Sequence, residues 1–394
     1  MTTYEQTTFD ASRTLGEAAG AMPGPHTSRR IGIIVNTPAQ VHFYRHIYEN
    51  LLEHGHHAFI IAREQGETMA LLREYQLPYE VYTGPLTSKM GKVMSLPRNV
   101  LDAASILKKH RVDLITGFGV YDAYTSALLG VPNVIFSDNE PSMGIGSYAL
   151  QFRLYFPFVD SILTPSYYKK DLGEKHIRIQ GIKEMAYLHP SRYTPDPSVY
   201  ESMGLSKGER YSLLRFNCLD AIHDIGVGGF NDDDKRRLVK ELENYGQVFI
   251  SSEKCVPRGL EDHVIKIPKN RIHDALFYAT LLVTDTGTMA TEAALLGTPT
   301  VRCASYVGVS DLGNFIELEK KYHLLFNYRD SAEAIARAAE LIKDDTIKAE
   351  WARRRQSLYA DNVDVCALMT WYIENYPESY DELRNNPNLQ ERYR

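Results

Sequence analysis

Apolar and polar positions along the chain fall into short blocks of two kinds. Ile31-Gly32-Ile33-Ile34-Val35 is a β-branched apolar run, too short for a helix, and it reads as a strand buried on both faces. Thr37-Pro38 follows, then a helical pattern from Val41 through Leu51 and Leu52 that Gly55 stops, and then the strand-like run 57–62. Strand, loop, helix, glycine, strand is a βαβ unit. The alternation continues with helix 67–75, strand 79–82, a basic loop at Lys89 and Lys92, helix 97–110 and strand 112–116. Helix 121–129 and strands 134–137 and 161–164 complete it. Six strands separated by helices predict a doubly wound parallel sheet with right-handed crossovers.

Pro190, Pro195, Pro197, Gly204 and Gly208 break this rhythm and predict a linker over 186–209. A second alternation follows, with strands at 211–215, 247–251, 263–267, 281–284 and 300–302, and helices at 233–245, 272–278 and 288–296. The expected class is therefore α/β, with two Rossmann-like domains, 29–185 and 210–345, facing a central cleft. Residues 1–28, rich in Thr, Ala, Gly and Pro, predict a disordered tail. One long helix over 346–376 is expected to cross back to the first domain, followed by a loose polar tail at 377–394.

A chain of 394 residues exceeds what one core usually organises, which agrees with two domains. The formal net charge of −6 gives no general attraction to a phosphate backbone, so nucleic acid is not an expected partner. The four cysteines, Cys218, Cys255, Cys303 and Cys366, form no CxxC pair and suggest no disulfide framework, which fits a cytoplasmic location. No apolar run approaches the roughly 18 to 20 residues of a membrane span. The polar start of the chain does not read as a secretory signal. Peripheral membrane association and a homodimer both remain open.

In open α/β sheets ligands bind outside the carboxyl ends of the strands. There the segment 283–299, Val-Thr-Asp-Thr-Gly-Thr-Met-Ala-Thr-Glu-Ala-Ala-Leu-Leu-Gly-Thr-Pro, ends a strand in a small hydroxyl-bearing loop and starts a helix. Free N–H groups and the helix dipole make such a start an anion site, to which Thr286, Gly287 and Thr288 would contribute. Glu292, about one turn further, is placed to accept hydrogen bonds from ribose hydroxyls. The plainer alternative is a threonine cap and an exposed acid. Arg215, ending the first strand of the second domain, offers a bidentate fork to a phosphate, with His223 and Gly226 downstream; an interdomain salt bridge is its alternative.

This segment resembles the carboxy-terminal motif of UDP-N-acetylglucosamine 2-epimerases, where Ser-Asp-Ser-Gly-Gly precedes Glu-Ala and Leu-Gly-x-Pro. More distantly it is similar to the matching loop of cell-wall N-acetylglucosaminyltransferases. Both belong to the GT-B superfamily, and the resemblance implies that the loop holds a diphosphate and Glu292 a ribose. Asn36-Thr37-Pro38-Ala39-Gln40-Val41-His42-Phe43-Tyr44, Phe136-Ser137-Asp138-Asn139-Glu140 and the stretch 181–188 resemble the domain of unknown function family 354 over roughly residues 30–345. That resemblance implies the fold and no settled activity.

His42 stands at the first strand–helix loop, where GT-B glycosyltransferases commonly carry a histidine base for the acceptor hydroxyl. A neutral imidazole suits that role near pH 7. Asp138 and Glu140 follow the fifth strand toward the same cleft, where a carboxylate would orient His42 or act as base; a simple turn is the alternative. Asp232, Asp233 and Asp234 read as a helix start rather than a metal-binding motif. The expected function is a metal-independent glycosyltransferase with a nucleotide diphosphate sugar as donor, no further cofactor, and an acceptor of unknown identity, glycan or lipid-linked. The epimerase pattern departs where this chain has Thr116-Gly117-Phe118-Gly119, Ser137-Asp138-Asn139 and Arg215-Phe216-Asn217. An epimerase-like enzyme and a non-catalytic nucleotide-sugar-binding subunit are the alternatives.

Overall fold

The computed structural model describes residues 28–83, 95–140, 146–216, 229–252, 256–305, 307–308 and 311–394. The first half forms a seven-stranded parallel sheet of β1 (Arg30–Val35), β2 (His57–Arg63), β3 (Tyr79–Thr83), β4 (Leu114–Gly117), β5 (Asn133–Phe136), β6 (Ser161–Pro165) and β7 (His176–Ile179), in the order β3-β2-β1-β4-β5-β6-β7. The second half forms a five-stranded parallel sheet of β8 (Tyr211–Arg215), β9 (Gln247–Ser251), β10 (Leu281–Thr284), β11 (Thr300–Cys303) and β12 (Phe326–Tyr328), in the order β12-β11-β10-β8-β9.

Period-two alternation explains why the first sheet is apolar throughout. Ile31, Ile33 and Val35 enter the main core, while Ile34 enters a second cluster on the opposite face. Ile60 and Ile61, and Leu114 and Ile115, divide in the same way. Helices therefore cover both faces, as buried parallel sheets require. Thr37 is extended and Pro38 takes a first-turn position of the helix Pro38–Glu53, where its missing N–H costs nothing.

Two strands differ from the sequence expectation. His176–Ile179 adds a seventh strand to the first sheet; its alternating His and Arg hid the apolar Ile177 and Ile179. The run 263–267 is not a strand and contributes only a bridge between Val264 and Ile250, while Phe326–Tyr328 is the fifth strand instead.

The carboxy-terminal helix crosses back to the first domain, but in two pieces. Ile347–Asp361 ends before Asp364, whose carboxylate accepts the Ala367 N–H at 3.0 Å and starts Val365–Glu374. That second helix meets the first domain through Asn50 Nδ2 donating to Thr370 Oγ1 at 3.2 Å and through a 2.7 Å bond between Ser161 and Tyr372. The expected loose tail is instead a helix, Glu378–Asn385, and a 3-10 turn, Pro387–Tyr393. Buried Leu383 anchors it, as does Gln390, whose Oε1 accepts the Gln180 N–H at 2.6 Å. Nearly all the tail expected over 1–28 lies outside the described residues. Among the described residues no helix is long and apolar enough to cross a membrane.

Candidate functional site

The cleft between the two sheets holds a cavity of about 630 Å³. Thr37, Gln40, His42, Asp138, Lys183 and Glu184 line it from the first half of the chain. Arg215, His273, Thr286, Gly287, Thr288 and Glu292 line it from the second.

On the second side, β10 runs through Asp285 into Thr286, which is extended (φ −103, ψ 151) and precedes the helix Gly287–Leu296. The Thr286 hydroxyl does not cap this helix. It pairs with Thr284 Oγ1 at 2.9 Å, and that same oxygen accepts the Thr286 N–H at 2.9 Å. The first-turn N–H groups, which have no intrahelical acceptor, thus face the cavity wall with no side-chain cap from Thr286 among the described residues. A Cβ on Gly287 would come within 3.1 Å of the Phe315 ring, so the loop packs tightly where it turns.

Glu292 is buried at 5% exposure, which removes its reading as an exposed acid. Its Oε1 accepts the Tyr187 hydroxyl at 2.8 Å and pairs with His273 Nε2 at 3.0 Å. The His273 ring meets the His42 ring edge-on at 4.6 Å, and His42 stacks on Tyr187 at 5.2 Å. A continuous cluster of rings therefore links the two walls.

His42 is buried, and its Nδ1 pairs with the Tyr75 hydroxyl at 3.1 Å. Burial, then His273 and Arg45, hold its pKa well below the ordinary imidazole value, so the ring is neutral. On the same side of the cavity Lys183 Nζ lies 2.5 Å from Asp138 and 3.3 Å from Glu184. Burial alone would discharge this lysine, but the two carboxylates outweigh it and raise its pKa. Burial pushes Glu184 up to about 7, against the pull of Lys183. No group of three or more His, Cys, Asp or Glu able to hold a metal occurs among the described residues.

A family model described as "Protein of unknown function (DUF354)" matches residues 30–366. The chain belongs to the DUF354 family. No curated protein matches this DUF354 chain. Among solved structures it is similar to S. aureus MnaA with UDP, at 11% identity and a TM-score of 0.65, covering 89% of this chain and 97% of that one. The UDP-GlcNAc 2-epimerase from Neisseria meningitidis bound to UDP-GlcNAc gives 11% and 0.59, over 87% and 99%. Glycosyltransferase SsfS6 from Streptomyces sp. SF2575, complexed with thymidine diphosphate, gives 16% and 0.54, over 87% and 99%. Together with the two parallel sheets, these likenesses show a GT-B fold.

Of the site residues expected in this DUF354 chain, His42, Asp138, Arg215, Thr286, Gly287, Thr288 and Glu292 meet at the cavity. Asp138 does not orient His42, because its carboxylate is held by Lys183. Glu140 stands outside the cavity lining; its buried carboxylate accepts the Lys169 N–H, which turns it onto the loop after β6. Arg215 donates to Ser251 Oγ at 3.3 Å. His223 and Gly226 lie outside the described residues. The acids 232–234 do begin a helix, with Asn231 accepting the Asp234 N–H at 2.9 Å.

Sequence reasoning missed Lys183, Glu184, Tyr187, His273 and Tyr75. The stretch 181–188 was visible as a family-like segment, which was its one signal. His273 sits inside an unremarkable helical pattern, Ile272–Tyr278.

Proposed function

We propose that this protein is a glycosyltransferase that transfers a sugar from a nucleoside diphosphate to an acceptor hydroxyl. The observation that carries the reading is the pairing of opposed walls: an uncapped helix start with a buried glutamate faces a neutral buried histidine across one cavity. A diphosphate would lie against Thr286, Gly287 and Thr288, with Arg215 as counter-charge and the remaining Glu292 oxygen toward the ribose. His42 would take the proton of the acceptor hydroxyl as its oxygen bonds to the sugar carbon. The bond from that carbon to the β-phosphate oxygen breaks, and the charge left on the diphosphate falls on the helix start and Arg215. This scheme needs no resident metal.

The solved structures with UDP, UDP-GlcNAc and thymidine diphosphate support a nucleotide sugar as ligand. The protonatable pair around Glu184 and Lys183 favours a second reading, epimerisation of the same ligand class. Thermal-shift screening over UDP-, GDP-, CMP- and dTDP-sugars, followed by product analysis, separates the two. Free nucleoside diphosphate released only with an acceptor supports transfer, and an epimerised nucleotide sugar without acceptor supports the second. Absence of any nucleotide-sugar binding would sink both.

A further inference from the structure

Beyond the cavity, the carboxyl ends of β1 to β4 gather a polar cluster holding one cation that has no carboxylate partner among the described residues. Arg63, the last residue of β2, is only 8% exposed. Among the described residues its guanidinium has no carboxylate partner; Nη1 makes a long 3.5 Å contact with the Tyr121 hydroxyl, and buried Nε has no acceptor at all. Tyr82 stands beside Tyr121 at 5.6 Å between ring centres and donates its hydroxyl to Asn36 Oδ1. The nearby Asp122 accepts the Gly119 N–H through Oδ2 and makes no ion pair with Arg63, its Oδ1 being buried without a hydrogen-bond partner among the described residues; burial pushes its carboxyl up to about 7. The sequence 84–94 that follows β3 contains Lys89 and Lys92 and no acid.

A buried guanidinium without a counter-charge is costly, and it is characteristic of a site whose counter-charge arrives with a ligand. This cluster touches the cleft at two points. The Asn36 N–H donates to Gln40 Oε1 at 2.7 Å, and Gln40 lines the cavity, as does Phe118, which precedes the loop to Tyr121. We propose that Arg63 anchors an anion subsite for a phosphate group, with the Tyr82 and Tyr121 hydroxyls beside it. We take that phosphate to belong to the acceptor, a placement that rests on the glycosyltransferase reading; the anion site itself does not.

The test is titration of the whole protein with inorganic phosphate and with a short-chain monoalkyl phosphate, alongside UDP, in wild type, Arg63→Gln and Glu292→Ala. Arg63→Gln should lose about tenfold or more in phosphate affinity, as expected for a charge-assisted bond, while UDP affinity holds. Glu292→Ala should show the reverse. Tighter binding of the alkyl phosphate than of inorganic phosphate identifies a lipid-borne group; equal binding identifies a free or sugar phosphate. Arg63→Gln strands no carboxylate, so it should fold; Arg63→Lys, which keeps the charge and loses the fork, serves as the second variant and should bind phosphate more weakly. Equal phosphate affinity in wild type and both variants, or none in wild type, overturns the proposal whatever UDP does.

Discussion

The second-domain wall of the cleft sets a helix start and hydroxyls among Arg215, His273 and Glu292, whereas the first-domain wall offers the coupled group His42, Asp138, Lys183 and Glu184. Across 284–292 the chain contributes hydroxyls, a glycine, a helix start and two carboxylates, of which Glu292 lines the cavity, all within nine consecutive residues. Opposite, His42, Asp138, Lys183 and Glu184 come from three separated stretches and meet only when the sheet is assembled. A wall of fixed dipoles suits a ligand whose charge is constant, such as a diphosphate. A wall of coupled titratable groups suits proton movement. On the proposed glycosyltransferase reading, binding falls to one side and chemistry to the other, and single substitutions should separate the two.

The largest effect should come from His42→Ala. A lost general base lowers turnover by roughly 10²- to 10⁴-fold, with nucleoside diphosphate affinity unchanged. Near-wild-type kcat in the folded variant would remove His42 from the chemistry. The pH dependence has a definite sign. His42 has a folded pKa below its unfolded value, so the unfolded chain takes up a proton first on acidification. Stability from the neutral ring is therefore present above about pH 6.5 and lost as pH falls below it. Unfolding free energy of wild type and His42→Ala over that range should diverge accordingly.

Lys183→Met should come next. It leaves buried Glu184 and half-buried Asp138 together without their cation, costing about 3 kcal/mol in denaturant unfolding near neutral pH. Glu184 is shifted upward, so its folded form holds a proton more tightly than its unfolded form. Its contribution is full below about pH 4.5 and lost as pH rises through about 7. The defect of Lys183→Met should thus shrink in acid, and a loss independent of pH would show that Lys183 serves packing rather than charge.

The same contrast explains what was legible in the sequence. The binding wall is local: a strand end, small residues and a helix occur in order, so strand placement together with the resemblance to the epimerase motif and its Leu-Gly-x-Pro exit pointed to Thr286 to Glu292. The proton-handling wall depends on strand order. Lys183 reaches Asp138 only because β5, β6 and β7 lie side by side, and β7 was hidden by its alternating charges. Periodicity predicted the two sheets, yet it could not tell a bridge at Val264 from a strand, nor a polar tail from one pinned by Gln390.

Glu292→Ala tests whether the binding wall depends on its cavity-lining carboxylate. Calorimetry should show UDP or GDP affinity weaker by about 1 to 3 kcal/mol. Because Tyr187 and His273 also lose their acceptor, Glu292→Gln is the cleaner companion: it retains an acceptor oxygen and should recover stability more than affinity. Unchanged affinity in both variants would end the ribose assignment.

The smallest effect should come from Tyr75→Phe, and it asks how the chemical wall is held. The Tyr75 hydroxyl is the only hydrogen-bond partner of His42 Nδ1 among the described residues, and a fixed partner at one ring nitrogen decides which nitrogen carries the proton. Yet the ring is also stacked on Tyr187 and wedged against His273, so packing alone could hold its plane. One hydrogen bond is worth about 0.5 to 1.5 kcal/mol, which corresponds to a drop in kcat of roughly two- to tenfold with KM unchanged. If tautomer control matters, kcat falls by that amount while the melting temperature barely moves. If the aromatic cluster alone positions the base, kcat stays at the wild-type level, and the catalytic geometry of the first wall then rests on Tyr187 and His273.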